Sequence, residues 1–160
     1  ASVCGIRARC VRTPHKIVVG PYDLTMSTDL THVDPAKLRI ELYPTEVLRT
    51  KASPVPAADG VDDALRSIAM RMVDLMRGAQ GIGLAAPQVG LPVRLFVAHV
   101  PADQEAEPDP SGLPVSCEAP EVFFNPEIVE YSRDLEPYDE GCLSLPGITG
   151  EVNRPSTVTI

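Results

Sequence analysis

Val61, Leu65, Ile68, Met72 and Met76 recur at intervals of four, three, four and four residues. That spacing lays a single apolar stripe along a helix, with Ala64, Ala69 and Val73 beside it. Asp59, Asp62 and Asp63 stand where the helix begins, and carboxylates there cap free N–H groups and suit the positive end of the helix dipole. Gly78, directly after Arg77, is the predicted stop. The two methionines sit on the apolar face and read as core packing rather than as a soft-metal stripe. This is the one good helix pattern in 160 residues.

Residues 93–100, VRLFVAHV, read as a buried strand, and 122–131, VFFNPEIVEY, as another that Asn-Pro interrupts. Residues 156–160, STVTI, are also strand-like. The stretch 43–56, YPTEVLRTKASPVP, is punctuated by proline and should wrap a surface in extended form without a regular element. Between the first two strands lies an acidic, proline-rich segment without periodicity, the expected long surface loop. The chain ends on an apolar strand-like run, and the expectation is a domain that lacks its last part.

The charge is unevenly placed. Residues 1–25 carry four basic groups and one acid, whereas 101–140 carry twelve acids and one base; the net charge of the whole is −8. An acidic protein repels phosphate, so a nucleic-acid backbone is excluded as primary partner. Trp is absent and only four Tyr and three Phe are present, which argues against a base-stacking platform. No apolar run approaches the ~20 residues of a membrane-spanning helix, so no membrane partner is expected. Cys4, Cys10, Cys117 and Cys142 form no CxxC pair, and the chain is not cysteine-dense; a reducing compartment fits better than a disulfide scaffold.

The basic leader admits two readings. It has the Arg-rich, acid-poor composition of an organellar transit peptide, or Met26 is the natural start and residues 1–25 are upstream sequence. The second gives a cytoplasmic protein, the first an organellar one. Residues 1–42 as a whole are expected to be a poorly ordered extension, with the folded domain over 43–160.

Two segments are out of character with ordinary packing. In Gly81-Ile82-Gly83-Leu84-Ala85-Ala86-Pro87-Gln88-Val89-Gly90, small residues permit close backbone approach. The Gln88 amide can donate to a carbonyl oxygen or to the oxyanion formed from it. The alternative is a glycine-rich turn with a surface glutamine. The pattern is neither GxGxxG opening a helix nor a Walker loop. In Glu140-Gly141-Cys142-Leu143-Ser144-Leu145-Pro146-Gly147, Cys142 is a thiolate ligand, a nucleophile or a buried structural cysteine. A nucleophile requires a base, and His99, at the end of an apolar strand, is the candidate outside the N-terminal region that holds His15 and His32.

Taken together, GIGLAAPQVG resembles the first signature of the peptide deformylases and EGCLSLPG resembles the second. YPTEVLRTKASPV is similar to the family's N-terminal wrap, 61–77 to its first helix, FFNPEIVEYS to the strand between the motifs and VNRPSTVTI to the strand after the second. The resemblance runs from Tyr43 to Ile160, with a longer acidic loop near 101–120.

The resemblance implies a peptide-deformylase-like α+β fold, antiparallel strands around a central metal-site helix. It implies a metal-dependent hydrolase that removes the formyl group from formyl-methionine at the N-terminus of nascent polypeptides. The expected partners are those formyl-Met peptides at the ribosome exit, and the expected state is a monomer. Family members hold Fe²⁺, or Zn²⁺ or Ni²⁺, through one cysteine, here Cys142, and two histidines of an HExxH motif. The metal-bound hydroxide attacks the formyl carbon. The oxyanion is held by the metal, the Gln88 side chain and the Leu143 backbone N–H. Gly81, Ile82, Gly83 and Leu84 lie beside the substrate backbone, with Glu140 and Gly141 in the second-motif loop, where Glu140 fixes the loop. No HExxH occurs in the 160 residues. A single thiolate cannot close a tetrahedral metal site. The expectation is therefore a C-terminally truncated deformylase with poor metal binding and impaired activity. The competing readings are a non-catalytic remnant that binds peptide N-termini, and a Cys142–His99 hydrolase.

Overall fold

Asp62 begins the helix. Its side chain accepts from the Leu65 N–H at 2.7 Å, satisfying one of the free donors of the first turn. In the computed structural model, which describes residues 29–55, 61–101, 116–117 and 119–160, α1 runs Asp63–Gly78. Leu65, Ile68, Ala69, Met72, Val73 and Met76 are buried along it. Met72 and Met76 are fully enclosed, so both methionines pack as core.

The helix ends at Gly78, its last residue, as expected, but the left-handed conformation falls on Gln80, at φ 56°. The Gly81 N–H bonds the Met76 carbonyl and the Gln80 N–H bonds the Arg77 carbonyl, the paired arrangement of a Schellman ending. A glycine near a helix end is a strong local signal, but the paired bonds place the reversal two residues later. The first motif segment follows directly from this turn.

Three antiparallel strands form a sheet in the order β1 (Gly83–Ala85), β2 (Leu95–Ala98), β3 (Glu121–Phe124), and β1 and β2 pack against α1. Leu84 faces Val97, and Phe96 faces Phe123 with the rings stacked at 4.4 Å. In β2 Leu95 and Val97 are buried while Phe96 and Ala98 are half-buried, the alternation of a strand with one core face. The run 93–100 thus contains a strand as expected. Asn125 and Pro126 end β3, and the chain resumes as the short β4 (Glu130–Tyr131). That strand pairs with β7 (Val158–Thr159), inside the strand-like STVTI.

β5 (Leu135–Cys142) and β6 (Leu145–Pro155) form a long antiparallel hairpin with a register irregularity at Gly141/Cys142. The periodicity of the sequence did not mark it. Apolar–polar alternation marks a strand with one buried face; β5 alternates exposed with half-buried positions, but the half-buried ones are Glu136, Tyr138 and Glu140, and β6 is mostly exposed.

Residues 29–42 are part of the packing: Leu30 and Leu38 lie in the core cluster with Leu65, Met72 and Val97. The 43–56 segment contains a short 3-10 turn over Glu46–Arg49, where no regular element was expected. It also forms a bridge from Ser53 to Val93. Proline spacing allows such a turn because a four-residue 3-10 piece fits between the breaks at Pro44 and Pro54. The readings of residues 1–25, Asp59 and most of the acidic loop lie outside the described residues. No helix of the described residues is long and apolar enough to cross a membrane. One helix with antiparallel strands makes the fold α+β.

Candidate active site

Gln88 owes its position to local chemistry. Residues Ala86–Val89 form a 3-10 turn, and Gln88 is its third residue. A glutamine there reaches back to the backbone N–H before the turn, as half of a capping box does. Gln88 Oε1 accepts from the Ala85 N–H at 2.9 Å. An N–H donor on one side of the amide fixes its orientation, because only the oxygen can accept. The amino group therefore points the other way.

What it meets comes from the second motif segment. Nε2 donates to Cys142 Sγ at 3.6 Å and to Ser144 Oγ at 3.4 Å. Residues 54 and 56 positions apart thus converge on one amide. Cys142 is exposed and carries a free thiol. Ser144 is buried. The contact partner of Cys142 is Gln88, and no hydrogen bond joins it to His99, whose backbone N–H binds the Ile82 carbonyl.

The segments also meet at Gly81. A Cβ added there would lie 2.7 Å from Leu143 Cδ1, inside the closest approach of real carbon atoms. Leu143 packs against the core at this point. Only a residue without a side chain lets Leu143 in without displacement.

A third stretch ties the two motifs together through the main chain. The Glu41 N–H bonds the Gln88 carbonyl at 2.8 Å, and the Tyr43 N–H bonds the Ser144 carbonyl at 3.0 Å. In extended chain, residues two apart present their N–H groups to the same side. The brace holds both segments although the sheets that carry them, β1–β2–β3 and β5–β6, are separate.

The other residues singled out in the sequence divide by exposure. Gly83 is exposed on β1, the edge strand of its sheet among the described residues. Gly81 and Ile82 are half-buried, and the Leu84 side chain is buried in the core. Gly141 is exposed beside the register irregularity. Glu140 is committed elsewhere. Arg154 grips its carboxylate with two bonds, Nε to Oε1 at 2.8 Å and Nη2 to Oε2 at 2.7 Å, across the hairpin. This grip holds the Glu140 carboxyl below the usual glutamate range, against a smaller opposing effect of burial.

Four participants escaped the sequence: Glu41, Tyr43, Ser144 and Arg154. Glu41 and Tyr43 act through backbone groups, which leave no trace in residue type. Ser144 and Arg154 stand inside recognised segments; Arg154 is the one base of residues 141–160, but nothing in its spacing marks Glu140 as its partner.

Cys142 is one thiolate, and no three His, Cys, Asp or Glu side chains among the described residues gather into a possible ligand group. A catalytic zinc-type site takes three protein ligands and leaves a fourth position open. The described residues therefore do not by themselves fit a metal.

Comparison with known proteins agrees with the geometry. A family model described as polypeptide deformylase matches residues 37–160. The chain is 40% identical over 115 residues to a peptide deformylase of Chloroflexus aurantiacus, covering 72% of this chain and 60% of that protein. It resembles the crystal structure of peptide deformylase from Ehrlichia chaffeensis with a TM-score of 0.68 at 33% identity, covering 76% of this chain and 65% of that one. A Met-Ala-Ser-bound class I type b peptide deformylase from Acinetobacter baumannii matches with a TM-score of 0.63 at 31% identity, over 76% and 72% of the two chains. The chain thus spans about three fifths of the length of the curated relatives it matches, 60% of the Chloroflexus protein. By the match of the family model over most of its length, the chain belongs to the polypeptide deformylase family.

Proposed function

We propose that this chain carries the substrate groove and the thiolate side of a deformylase acting on formyl-methionine at the N-terminus of nascent polypeptides. The observation that carries the reading is the convergence of Gln88 Nε2 on Cys142 Sγ at 3.6 Å, which joins the two motif segments at one point. An amide N–H held there is suited to stabilise negative charge developing on a carbonyl oxygen, and the Leu143 backbone N–H is the second donor of the reading. The edge of β1, Gly83–Ala85, is suited to pair with an extended peptide, with Gly81 and Ile82 leading into it and Gly141 bordering it. Glu140 belongs to the frame: its carboxylate is spent on Arg154. The Acinetobacter relative with Met-Ala-Ser bound supports a peptide ligand.

The family is one of metalloenzymes, and Cys142 is the proposed ligand, with Fe²⁺ as the metal and Zn²⁺ or Ni²⁺ as replacements. One thiolate among the described residues does not complete the site. We place the protein in the cytoplasm, acting as a monomer near the ribosome exit.

The test is binding of formyl-Met-Ala-Ser to the 160-residue chain, followed by amide NMR. Shifts confined to Gly81–Ala85, the Gln88 side chain and Leu143, and weaker with the unformylated peptide, are expected. No shifts at saturating peptide, or shifts elsewhere, would overturn the reading.

A further inference from the structure

Ser144 is the buried polar side chain of the described core, 4% exposed. A hydroxyl removed from water is costly unless it is bonded. Its bond is to the Gln88 amide, Nε2 to Oγ at 3.4 Å. The hydroxyl is not held in place by that bond alone. The Ser144 carbonyl accepts the Tyr43 N–H at 3.0 Å, so the main chain at 144 is anchored independently of Gln88.

The Gln88 side chain has the opposite character. Its last torsion, between sp³ and sp² carbons, is broad and has little preference of its own. Oε1 is tied to the Ala85 N–H, and the amino group has two protons to place. One faces Ser144 Oγ and the other Cys142 Sγ, which is the poorer acceptor and the more distant at 3.6 Å.

We propose that Ser144 is a positioning residue. Its hydroxyl accepts a hydrogen bond from one N–H of the Gln88 amide, so that the second N–H is presented at Cys142, where a carbonyl oxygen can displace the weak sulfur contact. Two anchors then define the amide plane, the Ala85 N–H and the Ser144 hydroxyl, while the bond from the Glu41 N–H to the Gln88 backbone carbonyl fixes the main chain that carries it. The consequence for substrate rests on the reading of Gln88 given under Proposed function; the orientation of the amide does not.

The experiment uses the ¹⁵N-labelled 160-residue chain, with the Gln88 side-chain amide assigned by its loss in Gln88→Glu. In the unmodified protein a nuclear Overhauser effect is expected between the Gln88 amide protons and the Ser144 β-protons. Ser144→Ala should speed exchange of those amide protons with water about fivefold, the factor that one hydrogen bond of ordinary net strength gives. Backbone signals of β1, β2 and β3 should stay in place. Ser144→Thr, which keeps the hydroxyl, should restore slow exchange; a residue that only filled space would not need it. Unchanged exchange in Ser144→Ala, or equally fast exchange in Ser144→Thr, would overturn the proposal. Should Ser144→Ala lose its dispersed spectrum, the Overhauser effect in the unmodified chain decides alone, and its absence sinks the idea. Failure of formyl-Met-Ala-Ser to bind while these signals behave as expected would remove the functional reading and leave the positioning role intact.

Discussion

Asn125 holds Val55 by both of its backbone groups: the side-chain Oδ1 accepts the Val55 N–H at 2.8 Å and Nδ2 donates to the Val55 carbonyl at 3.0 Å. Seventy residues separate the two. The amide imitates a neighbouring strand and fastens the 43–55 wrap to the end of β3. Asn125 itself has φ 49°, a left-handed conformation that asparagine tolerates better than most residues.

Asn125→Ala removes both bonds and places a β-carbon on a left-handed backbone that asparagine accepts more easily. The expected loss is about 2 kcal/mol, roughly 1 kcal/mol per hydrogen bond. Asn125→Asp keeps the acceptor and loses the donor, and should fall between. Urea unfolding at neutral pH measures both; equal stabilities for all three proteins would contradict the clamp.

Gln80 takes φ 56° in the turn that ends α1. Left-handed backbone costs a residue with a side chain roughly 1 kcal/mol that glycine does not bear. Gln80→Gly should therefore raise stability by about 1 kcal/mol, seen as a higher urea midpoint at unchanged slope. Gly78→Ala, inside the helix, should stabilise through helix propensity alone, by up to about 1 kcal/mol.

Gln88→Glu is close to isosteric. The carboxylate still accepts the Ala85 N–H, but no N–H remains for Cys142 and a negative charge now faces the thiol. The introduced charge disfavours the thiolate, so iodoacetamide should alkylate Cys142 about three- to tenfold more slowly at pH 8. Alkylation at the unmodified rate would mean that residue 88 does not face Cys142 in solution.

Glu140 and Arg154 supply a pH dependence with a definite sign. Arg154 lowers the Glu140 carboxyl below its ordinary 4.5. A lowered carboxyl contributes stability that is fully present above the unfolded-state value and is lost as pH falls through the folded-state value. The unfolding free energies of the unmodified chain and Arg154→Gln should therefore differ by a constant amount well above the ordinary 4.5, and the gap should narrow as pH falls through the lowered folded-state value. The difference should be small, under about 1 kcal/mol, because the pair is partly exposed, and it should shrink in salt. A gap that widens on acidification would reverse the assignment.

Much of this protein is legible along the chain. The stripe from Leu65 to Met76 reports its own burial, since a helix with one wet face has to repeat with the helical period. Leu95 and Val97 do the same for β2 with period two. Asn125-Pro126 marks the end of β3, and GIGLAAPQVG and EGCLSLPG mark the family. These are local properties, set by backbone geometry and by which side chains avoid water. Tertiary structure alone decided the rest. It brought Gln88 to Cys142, turned Glu140 to Arg154 and buried Ser144. It also used Glu41 and Tyr43 through N–H groups that every residue but proline possesses. No residue type or spacing encodes such pairings. A hydrogen bond between groups more than fifty residues apart depends on where the whole core places two backbones, and that position is a property of the packed chain.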